Sequence, residues 1–359
     1  MSGKKSPVLN RFHVIFLTQN IMFGTGILSL PQKLSSLGYS QALFPLLFGV
    51  IACLTLWPII WINSKYENDN LFRINEKLLG KWLGKSINLL IVAVYIIFLS
   101  SVINNYTTLI QTSALPEQSM VVPLIMLLLV LVYIVNGGIT SIARFCMMTF
   151  FLIFPTIFFL RWAIEKGEVT HLFPLFNFNG KEALEAMKKG YLSMLGYELI
   201  MFYYPYIANK KKAFKYTTIG IWITVLLYFI TVLVSVMYFS KWQLENVEYS
   251  VLHLLKAGEL PFIERIDIFV ITLWVLAILA TASAYLWTAK KGLESLRNKK
   301  KSSHVYILTL VVLLFEWMPL NPGFQEKFYE INYNIYYGIL GWPIVLCVVH
   351  LLKKKRVRP

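Results

Sequence analysis

Phe23-Gly24-Thr25-Gly26-Ile27-Leu28-Ser29-Leu30-Pro31 lies two-thirds of the way along the first apolar run, where a lipid-spanning helix would be uninterrupted. Each glycine costs a helix about 1 kcal/mol relative to alanine, and a backbone without side chains lets a ligand come close. The stretch reads as a break. At membrane depth a break frees N–H and C=O groups that hydrocarbon cannot satisfy, so it survives only inside protein or beside a water-filled cavity. Broken helices of this kind form small-solute sites near the bilayer midplane in inverted-repeat folds. Glycines also serve plain close packing between membrane helices, so the triplet alone leaves both readings open.

The rest of the chain sets the class. Its 359 residues are 57% hydrophobic and 15% aromatic, with a mean hydropathy of +0.62, and apolar runs of bilayer-spanning length recur throughout. This is an all-α, polytopic membrane protein in contact with the lipid bilayer. The net charge of +16 comes from basic residues in short loops, and no basic helix or aromatic-basic module of a nucleic-acid binder is present, so no nucleic-acid partner is expected. Cys53, Cys146 and Cys347 lie singly in apolar segments, and no two histidines share a metal-ligand spacing. Neither a disulfide framework, a metal nor a cofactor is expected. The first apolar run lacks a small-residue cleavage site and is expected to be retained.

Ten transmembrane helices are expected, at 12–37, 39–63, 86–110, 120–136, 141–163, 188–208, 216–239, 263–289, 304–320 and 333–352. With the N-terminus cytoplasmic, 24 of the 34 basic residues fall on the inner side, as the positive-inside rule requires, and the C-terminus is cytoplasmic too. The loop after the fifth span departs from this pattern with Arg161, Lys166, Lys181, Lys188 and Lys189, accompanied by Glu165, Glu168, Glu182 and Glu185. Its stretch Lys181–Lys189 has mixed charge at helical spacing and reads as an interfacial helix on the outer face, a small lid or a partner surface.

Residues 1–359 form a single transmembrane domain, and dividing the spans five and five gives halves of opposite direction, 12–163 and 188–352, a 5+5 inverted repeat. The sixth span should then carry a break matching that of the first, and Leu192-Ser193-Met194-Leu195-Gly196-Tyr197-Glu198 supplies one. The first half-helix resuming near Gly26 directs the N–H groups of Gly26, Ile27 and Leu28 toward the membrane centre, which favours a carboxylate. The carbonyls of Ser193, Met194 and Leu195 converge from the other side and favour an ammonium group. Together they suit a zwitterion such as an amino acid.

Glu198 is an acidic residue near the middle of a span, a functional candidate because burying it costs several kcal/mol. Three roles stand open: binding an amine, carrying a proton, or stabilising the start of the second half-helix. Tyr197 either lines the pocket or packs. Tyr95, Ser100, Ser101, Asn104 and Asn105 in span 3, and Thr272, Trp274, Thr281 and Ser283 in span 8, are wall candidates or interhelical hydrogen-bonding groups. Glu264-Arg265-Ile266-Asp267 opens span 8 as a charge pair or a gate, and Glu316 near the outer end of span 9 reads as solvated. The candidate ligand site comprises Gly24, Thr25, Gly26, Ile27, Leu195, Gly196, Tyr197, Glu198, Tyr95, Trp274 and Thr281. No catalytic constellation accompanies Glu198, so an enzyme is not expected.

Gly24-Thr25-Gly26-Ile27-Leu28-Ser29-Leu30-Pro31 resembles the first-span motif of the amino acid/polyamine/organocation transporter superfamily. Gly196-Tyr197-Glu198, the stretch Phe262-Ile263-Glu264-Arg265-Ile266-Asp267 followed by Trp274, and the ten-span frame resemble one branch of it, the B subunits of spore nutrient germinant receptors. The resemblance implies a leucine-transporter-like fold with helices 1 and 6 broken, in the inner membrane of a bacterial spore. It further implies assembly with germinant receptor A and C subunits and recognition of a small-molecule germinant such as an amino acid. The other function compatible with these residues is a proton- or cation-coupled amino acid permease.

Overall fold

The first helix, α1 (Arg11–Met22), starts where Asn10 closes a capping box: its side-chain oxygen accepts from the His13 N–H at 2.9 Å, and His13 Nδ1 accepts from the Asn10 N–H at 3.4 Å. It stops at Met22. The chain passes through a single tight turn, Thr25–Ile27, and resumes as α2 (Leu30–Lys33), with Pro31 in the first turn where its missing N–H costs nothing. The second span enters through an irregular 3-10 stretch, Ser35–Leu43, and continues as α3 (Phe44–Lys65). A short amphipathic helix, α4 (Leu71–Leu79), capped by Asn70, precedes the long α5 (Lys81–Ser113).

The fourth and fifth spans are α6 (Val121–Asn136) and α7 (Gly138–Ile153); the latter runs on through a 3-10 segment containing Pro155 into α8 (Arg161–Lys166). The second half opens with α9 (Gly180–Tyr191), a turn at Leu192–Met194, a break, and α10 (Ile200–Tyr203). Then follow α11 (Ala213–Tyr238), the short α12 (Lys241–Asn246) and α13 (Ser250–Leu255), α14 (Ile266–Arg297), α15 (Ser303–Trp317) and α16 (Pro322–Arg356). This computed structural model describes residues 8–173, 177–258, 265–299, 301–317 and 322–356, without the side chains of 322–334 and 354–356. Phe262, Ile263 and Glu264, and the last three residues expected in the ninth span, lie outside the described residues.

Six helical segments are long and apolar enough to cross a membrane, and Val121–Asn136 and Ser303–Trp317 are shorter apolar helices. With the two broken segments these are the ten expected spans. No strand is present among the described residues, only an isolated parallel bridge between Leu9 and Ile207. That bridge, the Ala208 N–H donated to the Leu9 carbonyl at 2.9 Å, and the contact of the Tyr66 hydroxyl with His350 Nδ1 at 3.0 Å bring the approach to α1 and the C-terminal part of α16 to one face of the bundle. Leu54, Trp57, Leu89, Leu90, Leu129 and Leu226 stand exposed on the flanks, the surface that lipid covers in a multi-pass membrane protein.

α1 is the central element, in contact with α7, α11 and α14, while α14 lies along α5. Two expectations need correction. Lys181–Lys189 does not form a separate interfacial helix: α9 runs from Gly180 through the Leu192–Met194 turn straight into the break, so the sixth span begins eight residues earlier than 188. Its charged face is the exposed end of a span, and its Ala186 and Gly190 are buried against α2 and the second-span entry. Nor is Glu316 simply solvated, because its Oε2 accepts from the Asn104 side-chain amide at 3.3 Å on α5.

Candidate functional site

The two breaks touch. A Cβ on Gly26 would lie 2.8 Å from Ser193 Cβ and 2.9 Å from Ser193 Cα, and a Cβ on Gly196 would lie 2.7–2.9 Å from the Cγ2, C and O atoms of Ile21. Each break therefore uses a glycine to admit the other, and Gly196 additionally has φ +127°, a region that side-chain-bearing residues rarely adopt. Where α1 ends, the Asn20 carbonyl accepts from the Phe23 N–H at 3.1 Å and from the Thr281 hydroxyl at 3.2 Å. The Met22 and Ser193 carbonyls, one from each break, both lie 2.9 Å from the hydroxyl of Tyr228 on α11. A tyrosine carries one hydroxyl proton, so it serves these two acceptors in turn or shares the proton between them.

Glu198 is fully buried, and its Oε2 accepts from the Gly196 N–H at 2.7 Å. The carboxylate thus closes its own turn across the break, the helix-start role among those left open by the sequence. The carboxylate also interacts with the phenol of Tyr336 and acts electrostatically on those of Tyr95, Tyr203 and Tyr285.

A cavity of about 300 Å³ opens beside the contact between the breaks. Of the residues singled out from sequence, Gly24, Thr25, Gly26, Leu195 and Thr281 line it. The others do not. Ile27 and Trp274 border a separate, smaller pocket of about 50 Å³, with the Trp274 ring centred 5.0 Å from that of Phe23. The Tyr197 hydroxyl bonds to Tyr191 at 2.8 Å and to Thr55 on α3, which turns it away from the cavity. Gly196 is covered by Ile21, and Tyr95 packs edge-on against Phe202 behind Tyr285.

Sequence reasoning missed Lys33, Phe98, Tyr285 and Tyr336 as cavity walls, brought Ser193 in through its carbonyl and not its hydroxyl, and placed Ser101 and Asn105 only among weaker wall candidates. For α5 a signal was available: Ser101 and Asn105 are four apart and share the cavity face. Ser100 and Asn104 form a second such pair, of which Asn104 reaches Glu316 on α15. At the head of α14, Arg265 donates to both oxygens of Asp267, from Nε at 2.9 Å and from Nη2 at 2.7 Å, so these two residues form a local charge pair.

Ten spans of which the first and sixth are unwound, in mutual contact and beside a cavity, define a class: the leucine-transporter-like fold of secondary transporters. Solved structures agree. The structure of MHP1, a nucleobase-cation-symport-1 family transporter in a closed conformation with bromovinylhydantoin bound, superposes with a TM-score of 0.66 at 13% identity, covering 95% of this chain and 79% of that one. A substrate-bound, outward-open Na⁺-coupled sialic acid symporter gives 0.67 at 12% identity, covering 96% and 79%.

Within that fold the chain belongs to the family described as Spore germination protein, whose model matches residues 8–325. It is 27% identical over 318 residues to spore germination protein GerQB of Bacillus cereus, covering 86% of each chain. It is 23% identical over 363 residues to spore germination protein A2 of Bacillus subtilis strain 168, covering 99% of each.

Proposed function

We propose that this chain is the B subunit of a spore nutrient germinant receptor, resident in the spore inner membrane with both termini cytoplasmic and acting with A and C partner subunits. It binds a small germinant, such as an amino acid, between the unwound first and sixth spans, and is not an enzyme. The observation that carries this reading is the cavity of about 300 Å³ framed by Gly24, Thr25 and Gly26 on one side and Ser193 and Leu195 on the other. That volume lies at the lower end of small-molecule sites, roughly 300–1,000 Å³. Its walls come from spans 1, 3, 6, 8 and 10, so an occupant touches elements that must move relative to one another for the bundle to rock. A ligand shifts such an equilibrium only by its difference in affinity for the two states; contact with both breaks gives it the means to do so.

Gly24 offers the direct test. A Cβ there would meet only Thr281 Oγ1, at 4.0 Å, so a leucine side chain enters the cavity without displacing the framework. Gly24→Leu should abolish nutrient-triggered germination while leaving the amount of protein in the membrane unchanged. An unaltered nutrient dose–response in that strain removes the proposal. A second reading, a proton- or cation-coupled amino acid permease, is favoured by the two fold neighbours, a nucleobase-cation-symport-1 family transporter and a Na⁺-coupled symporter. Solute uptake into proteoliposomes by the isolated chain would support it over the receptor.

A further inference from the structure

Lys33 is a lysine in the wall of the cavity, at the end of α2. Its Nζ donates to Ser193 Oγ at 3.3 Å, so it reaches from the first broken span across to the sixth. No carboxylate lies within ion-pair distance of it among the described residues; Glu248 acts on it only from farther away. The other lysine at the cavity, Lys189, is exposed at its edge and already paired with Glu185 at 2.7 Å. Among the described residues no acidic side chain lines the cavity; Glu198 acts on the wall phenols of Tyr285 and Tyr336 without itself forming a wall. The remaining walls are uncharged, and Phe98, Tyr285 and Tyr336 make one side aromatic. A half-buried ammonium without a counter-ion is a costly arrangement that an incoming anion offsets.

We propose that the cavity is a carboxylate site: Lys33 Nζ and the Ser193 hydroxyl hold the carboxylate of a small acid whose uncharged body lies against Phe98, Tyr285 and Tyr336. This rests on the reading of the cavity as the germinant site and names its ligand class. The anchor is the carboxylate, and a ligand ammonium is dispensable. It differs from the expectation that the Ser193, Met194 and Leu195 carbonyls draw in an ammonium group; of these, the Ser193 carbonyl already lies 2.9 Å from the Tyr228 hydroxyl. A carboxylate placed at Ser193 also touches both breaks at once, because Gly26 packs directly on that serine.

The test uses the full-length chain purified in detergent and two probe series: L-leucine, 4-methylpentanoate and L-leucinamide; and L-phenylalanine, 3-phenylpropanoate and L-phenylalaninamide. Thermal stabilisation against probe concentration gives the affinities. The acids, with or without the amino group, should bind at least about tenfold tighter than the amides, the worth of one hydrogen bond to a charged group. Lys33→Met should abolish that preference, Lys33→Arg retain it, and Lys181→Met, exposed on α9 away from the cavity, leave it within about threefold of wild type. The acid–amide preference is read on the wild-type chain, so it decides the matter even if Lys33→Met is unstable. Amides binding as tightly as acids, an unaltered preference in a folded Lys33→Met, or stabilisation by no member of either series each overturns the carboxylate anchor. In the first two outcomes, binding that Gly24→Leu blocks leaves the cavity standing as a ligand site, so the two proposals fail separately.

Discussion

Gly26 and Gly196 are both required at the junction of the breaks, for different reasons. At Gly26 the obstacle to a side chain is Ser193, whose Cβ would stand 2.8 Å from the new atom. At Gly196 it is the Ile21 side chain at 2.7 Å, the Ile21 backbone at 2.9 Å and, beyond both, φ +127° itself. The two substitutions should therefore respond to different degrees when the neighbour is trimmed. Gly26→Ala should lower the melting temperature of the purified chain, and Ser193→Gly in the same molecule should recover part of the loss, the part due to Cβ and Oγ and not to the Cα at 2.9 Å, an interaction that a double-mutant cycle measures directly. Gly196→Ala carries a backbone strain of about 1–3 kcal/mol, and Ile21→Ala should recover little of it. Equal rescue of both would place the conflict in side chains alone. Both glycines were legible in the sequence, because a glycine inside an apolar span advertises a break or a close approach. Lys33 was not: at the end of the first apolar run it is indistinguishable from any lysine flanking a span, and only its reach to Ser193 gives it a place.

Helices are joined at the breaks by very few polar atoms. Tyr228 ties three elements, α11 to the end of α1 and to the turn after α9, through a single hydroxyl within 2.9 Å of the Met22 and Ser193 carbonyls. Tyr228→Phe keeps the ring and its packing near Phe23, with centroids 6.3 Å apart, and removes only that oxygen. Leaving a buried carbonyl without a donor costs about 1–3 kcal/mol, so the variant should fold but melt earlier than wild type. The loss should shrink if ligand or water enters and supplies a donor in place of the phenol. An unchanged melting temperature would show that the two carbonyls are already satisfied from the cavity. Nothing in the sequence pointed to Tyr228, since a lone phenol in an apolar span carries no spacing signal. α9 was misread for a related reason. Glu182, Glu185, Lys188 and Lys189 give it the pattern of a surface helix, and that pattern is correct for the face it exposes. Periodicity reports which face is wet; it does not report whether the helix ends or continues into a break.

At the scale of the molecule, the positive-inside pattern and the cavity make one joint statement. The start of α1, the C-terminal part of α16 and Lys65, Lys77, Lys85 and Lys210 gather on one face, where Tyr66 meets His350, Lys77 approaches Tyr66, Lys85 donates to the Leu296 carbonyl and Lys210 donates to Asn68. α1 runs away from that face, and Lys33 and Lys189 lie on the far side of the break. If the basic face is cytoplasmic, the Lys189 edge of the cavity faces outward, the side from which the proposed function requires a nutrient to arrive. Sidedness is then measurable with a membrane-impermeant thiol reagent. Cys53 and Cys347 are half-buried and Cys146 is buried, so their replacement by serine gives a quiet background for single cysteines. Leu184→Cys on the exposed face of α9 should react in intact membranes of known orientation, whereas Lys211→Cys should react only after permeabilisation. The reverse pattern would turn the Lys189 edge toward the cytoplasm. A germinant arriving from outside would then have to enter past α1 and α10, where the described structure has the Leu9–Ile207 bridge and no opening lined by either lysine.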